Sequence, residues 1–241
     1  MADTPAPHSV VPSAIVSVDI ACFTVRDTAP DATLALLLVR RSREPFADSW
    51  ALPGGIVHAS ETCDAAAERV LKQRTGLEIT YLEQLYTFSD PRRDPRGRTI
   101  AVTYYALVPE RTPLASGADV TTIAWHDVNQ LPTPLAFDHE QIAHYARQRL
   151  AQKVTYAPIV FRLLPPKFTM HALRHVYAAV EGKSYDHISN FTTMIRHRWP
   201  LEVAGATSQP QGMKGRPPAL FRYAGKPDIP GAPTLIAYKE E

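Results

Sequence analysis

Apolar residues crowd into short runs in the first half of the chain and fall at helical intervals in the second. Residues 15–25 and 34–39 are rich in Val, Ile, Leu, Ala and Phe, with Asp27, Pro30 and Asp31 in the turn between them. Runs bounded by turn residues predict β-strands, and residues 99–108 and 121–125 predict two more. Leu52-Pro53-Gly54-Gly55 marks a sharp loop, and residues 61–74 follow as a helix ended by Gly76. Residues 137–153, polar and free of Gly and Pro, predict a helix bridging the halves.

Beyond that point the pattern changes. Thr169 is placed to cap a helix whose apolar positions, Met170, Leu173, Val176, Tyr177 and Val180, step by three and four until Gly182. After a short turn, Ile188, Phe191 and Ile195 mark the buried stripe of a second helix over residues 186–198. Residues 201–223 then predict two short strands around a tip rich in Gly and Pro. Helix, turn, helix and hairpin is the order of a winged helix-turn-helix.

Composition narrows the class. Apolar residues make up 45% of the 241 and charged residues 21%, which suits a soluble globular protein rather than a disordered one. No apolar run is long enough to span a bilayer, so no membrane partner is expected. Residues 1–13, rich in Pro, Ala and Ser without a basic flank, predict a loose tail rather than a secretory signal. Cys22 and Cys63 lack the spacing of a zinc site or disulfide framework, which points to a reducing cytoplasm. The net charge of +2 hides an asymmetry. Residues 154–241 hold 11 Lys and Arg against 6 Asp and Glu, whereas the remainder holds 15 against 18. A basic half beside an acidic one is expected when only one half meets a polyanion.

Gly55, Glu61, Arg69, Gly76 and Leu77 fall at the spacing of the Nudix box, and residues 15 to about 150 resemble a Nudix domain. That resemblance implies a mixed sheet between helices and a metal-dependent hydrolysis of substituted nucleoside diphosphates. In the family, carboxylates follow the Arg directly and again three and four positions later, sharing one helical face and holding divalent cations through oxygen. Here those positions are Val70, Gln73 and Arg74. An apolar group, an amide and a cation cannot replace three anions, so no catalytic residue, metal site or cofactor is expected. Glu61 and Glu68 survive and keep open the alternative of an ADP-ribose or nucleotide pyrophosphatase.

A fold without its metal ligands can still hold a nucleotide. The segment running to Arg98 carries Arg92, Arg93, Asp94 and Arg96, just before a strand containing Tyr104 and Tyr105. Guanidinium groups pair with phosphate, and aromatic rings stack on bases. Arg92, Arg93, Asp94, Arg96, Arg98 and Tyr104 are therefore expected at the effector, joined by Arg40, with Arg41 and Arg43 as possible additions; an exposed hairpin with solvated arginines is the plainer alternative. In the second half, Asn190, Thr192, Thr193, Arg196 and Arg198 on the second helix, and Lys214 and Arg216 on the tip, are expected to meet DNA.

Taken together, the chain resembles the NrtR family of Nudix-related regulators of NAD metabolism. The likeness is carried by Glu83-Gln84-Leu85-Tyr86-Thr87-Phe88, Arg93-Asp94-Pro95-Arg96-Gly97-Arg98, Lys167-Phe168-Thr169, Asn190-Phe191 and Gly215-Arg216-Pro217. It implies a homodimeric repressor of NAD synthesis or salvage genes that binds palindromic double-stranded operator DNA and answers to ADP-ribose or a related nucleotide. The family often has basic residues after the Asn-Phe pair, where this chain has Thr192 and Thr193. The expected class is α/β (α+β): a flexible tail at 1–13, a Nudix-like α/β/α sandwich over 14–153, a winged helix over 154–226 and a tail over 227–241. A module binding an acidic protein partner remains a third reading.

Overall fold

The computed structural model describes residues 13–28, 31–79, 81–110, 114–115, 117, 120–207 and 217–225. In chain order the elements are β1 (Ile15–Thr28), β2 (Asp31–Arg41), β3 (Trp50–Ala51), β4 (Gly54–Ile56), α1 (Cys63–Thr75), β5 (Leu82–Phe88), β6 (Thr99–Leu107), β7 (Val120–Asp127) and α2 (His139–Lys153). A 3-10 helix (Pro158–Leu163) leads to β8 (Phe168–Thr169), α3 (Met170–Glu181), α4 (Ile188–Arg198), β9 (Leu201–Ala206) and β10 (Ala219–Tyr223).

The first sheet has the order β3-β2-β1-β6-β5, with β4 on β1 and β7 on β2. It is mixed, because β1 runs parallel to β6 and antiparallel to β2 and β4. Period-two alternation sends Val18, Ile20 and Cys22 to one face, where Ala66, Ala67, Val70 and Leu71 of α1 cover them. Ala21, Phe23 and Val25 point to the other, into a cluster with Ile142, Ala143, Ala146 and Leu150 of α2. A strand covered on both faces reads as a dense apolar run rather than an alternating one, hence the texture of residues 15–25 and 34–39.

Local chemistry sets the helix ends. The Thr62 hydroxyl caps α1 by accepting from the Ala65 amide at 3.1 Å, and Gly76 closes it in the left-handed region at φ 71°. The helix starts later than the apolar pattern suggests because Glu61 is occupied outside it, accepting from the His58 amide at 2.8 Å. Thr169 caps α3 in the same way, accepting from Ala172 at 3.1 Å. The strand β5 has no counterpart in the sequence reading. Leu82 and Glu83 are both buried, and a bulge between Gln84 and Tyr86 breaks its alternation.

β8, β10 and β9 form a second sheet, which with α3 and α4 makes the winged unit. Its core, Leu173, Val176, Tyr177, Val180, Phe191, Ile195 and Phe221, is continuous with Phe23, Leu34 and Leu36 of the first sheet. α3 packs directly on β2 and against α2. Residues 137–153 therefore do not bridge a gap; α2 is a layer of the sandwich, and the two units share one interior. Ile188 is also not part of the buried stripe, being 42% exposed. Tyr185 takes the inner place, with its ring 5.0 Å from Phe191. Among the described residues no helix is long and apolar enough to cross a membrane.

Candidate functional site

β4 pairs with β1 so that Gly54 lies opposite Asp19 and Gly55 opposite Val18. A Cβ on Gly54 would stand 2.2 Å from Asp19 Oδ1, and one on Gly55 2.8 Å from Val70 Cγ2. Two glycines thus let the backbone pass between a buried carboxylate and α1. Beside them opens a cleft of about 450 Å³ lined by residues of β1, β2, β4 and α1, by Arg93, Asp94 and Arg96, and by Phe137 and His139.

One part of the cleft is closed and charge-balanced. Arg93 Nη2 donates to Asp19 Oδ2 at 3.0 Å and to Asp138 Oδ1 at 2.7 Å, and its Nε donates to Asp138 Oδ2 at 2.9 Å. His139 Nδ1 accepts from the Leu52 amide at 2.9 Å, leaving Nε2 facing Asp19 Oδ1 at 3.5 Å. Burial alone would raise the Asp19 carboxyl, but His139 and Arg93 outweigh it and hold it below the usual carboxylate range. Arg93 was expected at the effector. Its donors are instead committed to two carboxylates and its side chain is only 3% exposed, so it joins its loop to β1 and to the start of α2.

The other part is open and rich in cations. Arg41, Arg43, Arg69, Arg74 and Arg96 line it. The guanidinium of Arg41 lies 4.8 Å from the centre of the Phe137 ring and that of Arg96 5.7 Å. Arg96 donates to Asp94 through Nε at 3.0 Å and Nη2 at 2.7 Å. Burial first, then the neighbouring Arg96 and Arg74 cations, push Arg41 below its ordinary value. Of the residues expected at an effector, Asp94 and Arg96 line this open part of the cleft.

Four other expected residues lie elsewhere. Tyr104 is fully buried on the α1 side of β6, its hydroxyl donating to Asp64 Oδ1 at 2.5 Å, so it cannot stack on a base. Arg40 alternates away from Arg41 and donates to the Asp48 carbonyl at 3.0 Å. Arg92 sits 3.7 Å from Asp90, and Arg98 donates to the Ser89 carbonyl at 2.6 Å; neither lines the cleft. Sequence reasoning missed Asp19, Phe137 and His139. Asp19 carried a signal, a lone carboxylate inside an apolar strand. Phe137 and His139 carried none, because only the turn before α2 brings them to the cleft.

Val70, Gln73 and Arg74 share this cleft. Val70 is 2% exposed and packs against Gly55. The Gln73 side-chain amide Oε1 accepts from Arg69 Nη1 at 3.2 Å. The Glu61 carboxylate accepts from Arg69 at 2.8 and 2.5 Å, and those hydrogen bonds pull its pKa down to about 2. Glu68 is exposed and lies off the cleft. Among the described residues no three His, Cys, Asp or Glu side chains are placed to hold a metal. An isopropyl group, an engaged amide and a guanidinium do not fit a divalent cation.

On the winged unit, Asn190, Thr193, Arg196 and Arg198 are exposed along α4 and Thr192 is half-buried. The Thr192 and Thr193 hydroxyls donate to the carbonyls of Ile188 and Ser189 at 2.7 and 3.1 Å. The Arg196 guanidinium lies 5.4 Å from the centre of the Phe221 ring, which ties α4 to β10. The last turn of α4 is basic, with Arg196, His197 and Arg198. Lys214 and Arg216 fall outside the described residues.

Comparison with known proteins bears on both units. Residues 17–146 match the NUDIX domain, and residues 160–223 match the NrtR DNA-binding winged helix domain. The chain is 32% identical to the ADPR responsive transcriptional repressor NtrR of Acinetobacter baylyi, over 88% of this chain and 83% of that one. An ADP-ribose pyrophosphatase of Methanocaldococcus jannaschii is 40% identical over 44% of this chain and 62% of its own length. The crystal structure of Shewanella oneidensis NrtR superposes with a TM-score of 0.72 at 31% identity, covering 86% of this chain and 93% of that one. Shewanella NrtR is also known complexed with a 27mer DNA and, as its NUDIX domain alone, with ADP ribose.

Proposed function

The chain belongs to the NrtR family, whose members join a Nudix domain to a DNA-binding winged helix, and from that premise we propose that it represses genes of NAD synthesis or salvage and releases them in response to ADP-ribose or a related nucleotide. The observation that carries this reading is the cation-rich cleft around Phe137, linked through Arg93 and Asp138 to α2 and so to α3. Arg41, Asp94 and Arg96 would orient the diphosphate and Phe137 would offer its ring. Asn190, Thr192, Thr193, Arg196 and Arg198 would face the major groove, with the tip at Lys214 and Arg216 on the backbone. A homodimer would set two such helices on the half-sites of a palindrome.

Release requires the effector to prefer the arrangement that does not bind DNA, since binding both arrangements equally shifts nothing. Couplings of this kind are about 1–3 kcal/mol, or roughly 5–150-fold in affinity. Titrating DNA from upstream of NAD-metabolism genes with the full chain, with and without ADP-ribose, tests the reading. Specific retardation that ADP-ribose weakens by a factor in that range supports it; equal affinity for scrambled DNA rejects it. We further infer that the chain does not hydrolyse its effector, because the degenerate face of α1 offers no metal cage. Magnesium- or manganese-dependent turnover abolished by Glu61→Gln would reject that part.

A further inference from the structure

The disagreement between this cleft and a divalent cation has a chemical consequence, which rests on the reading of the cleft as the effector site. We propose that Arg74, acting with Arg41 and Arg96, takes the electrostatic place of the metal, so that the cleft binds a diphosphate directly and without any divalent cation. Val70, Gln73 and Arg74 share the face of α1 that a Nudix hydrolase lines with carboxylates. Val70 fills the space against Gly55, Gln73 is held by Arg69, and Arg74 brings positive charge to the cleft lining. Arg41 arrives from β2 and Arg96 from the loop before β6, on the same aromatic ring.

The lining is over-supplied with cations. Six arginines stand among it against Asp19, Glu44 and Asp94. Arg93 is already shared between Asp19 and Asp138, Arg69 is paired with Glu61, and Arg96 with Asp94. Burial first, and then the Arg96 and Arg74 cations, depress Arg41, and a dianionic ligand would relieve the repulsive part. Guanidinium groups present paired, directional donors that match phosphate oxygens. Unlike a bound magnesium ion, they do not generate a hydroxide from coordinated water. A diphosphate held this way is recognised and left intact, as a sensor requires. The competing role for Arg74 is local, since a cation in the last turn of α1 complements the helix dipole.

Calorimetric titration of the full chain separates these cases, with ADP-ribose and inorganic pyrophosphate as probes in excess EDTA and in excess magnesium. The expected result is ADP-ribose affinity equal within about twofold in the two buffers. Arg74→Gln should weaken it by roughly tenfold to a hundredfold. Arg74→Lys, which keeps the dipole charge but loses the fork, should fall between. If an Arg74 variant does not fold, as judged by its urea midpoint, Arg96→Gln carries the same expectation. Affinity that collapses in EDTA, or that both Arg74 variants leave unchanged, overturns the inference while the repressor reading stands. Pyrophosphate bound in EDTA without ADP-ribose would uphold the inference and sink the proposed effector. Binding of neither probe overturns both.

Discussion

Arg93 is almost wholly enclosed, its guanidinium divided between Asp19 and Asp138, whereas Arg96, on the same loop, has a side chain 54% exposed and leans over Phe137 beside Arg41. The first belongs to a centre in which each charge has its counter-charge and little water reaches it. The second belongs to a rim where like charges converge and water still enters. Identical side chains, three residues apart, are thus divided between an enclosed ion-paired centre and the open lining of the cleft. The difference teaches that arginine density marks a region, while burial and the sign of the neighbours decide which arginine stays open to solvent.

The largest expected effect tests the closed centre. Arg93→Leu leaves two carboxylates buried without their cation and should cost about 3–5 kcal/mol in urea denaturation. Arg96→Leu should cost less, about 1–2 kcal/mol, since Arg96 itself is half in water although the Asp94 carboxylate it pairs with is buried. Equal losses would erase the distinction. A second closed centre sharpens it. Glu83 of β5 accepts from Lys153 of α2 and from the hydroxyls of Tyr81 and Tyr105. Lys153→Met should cost about 3 kcal/mol, toward the lower end because both hydroxyls still donate to Glu83.

On the DNA side, Asn190→Ala should cost about 1–3 kcal/mol of operator affinity and relax base preference at one position, leaving ADP-ribose affinity unchanged. Fluorescence anisotropy on operator and point-substituted duplexes reads both. The gentlest test is pH. Burial would raise the carboxyls of Asp19 and Glu83, yet their partners hold both below ordinary values. Their contribution is therefore complete above the unfolded carboxylate pKa of about 4 and is lost as pH falls through the lower folded values. These two carboxylates should leave the urea midpoint unchanged from about pH 7 to 5 and lower it below about 4, with a shallower fall in Arg93→Leu. His126, held below its ordinary value by burial, adds a separate decline beginning near pH 6.5. A midpoint insensitive to acid would show that these carboxylates carry no such linkage.

Much of the fold was legible. The apolar runs of β1 and β2, the Thr169 cap and the step pattern of α3 are local signals, and each element formed where its signal lay. The strand β5 was not legible, because its bulge and the buried Glu83 hide the alternation that marks a strand. Ile188 matched the helical stripe by spacing alone, yet Tyr185 from the preceding turn took the interior place. The cleft was half legible. Arg96 and Asp94 stood out by composition, and the replaced carboxylates by spacing. Arg93 and Tyr104 stood out equally, and their partners Asp19, Asp138 and Asp64 are distant in the chain.

Residue order by itself determined the two-part organisation, the Gly76 stop and Thr169 cap of two helices, and which residues follow Arg69 on α1, since each depends on contacts within a few residues and on fixed backbone periodicity. Tertiary structure alone decided that the two parts share one interior, that α2 is a layer rather than a bridge, and which cations face the cleft. Those outcomes depend on long-range burial. A guanidinium is neutralised or left to seek an anion according to carboxylates that folding brings from dozens of positions away.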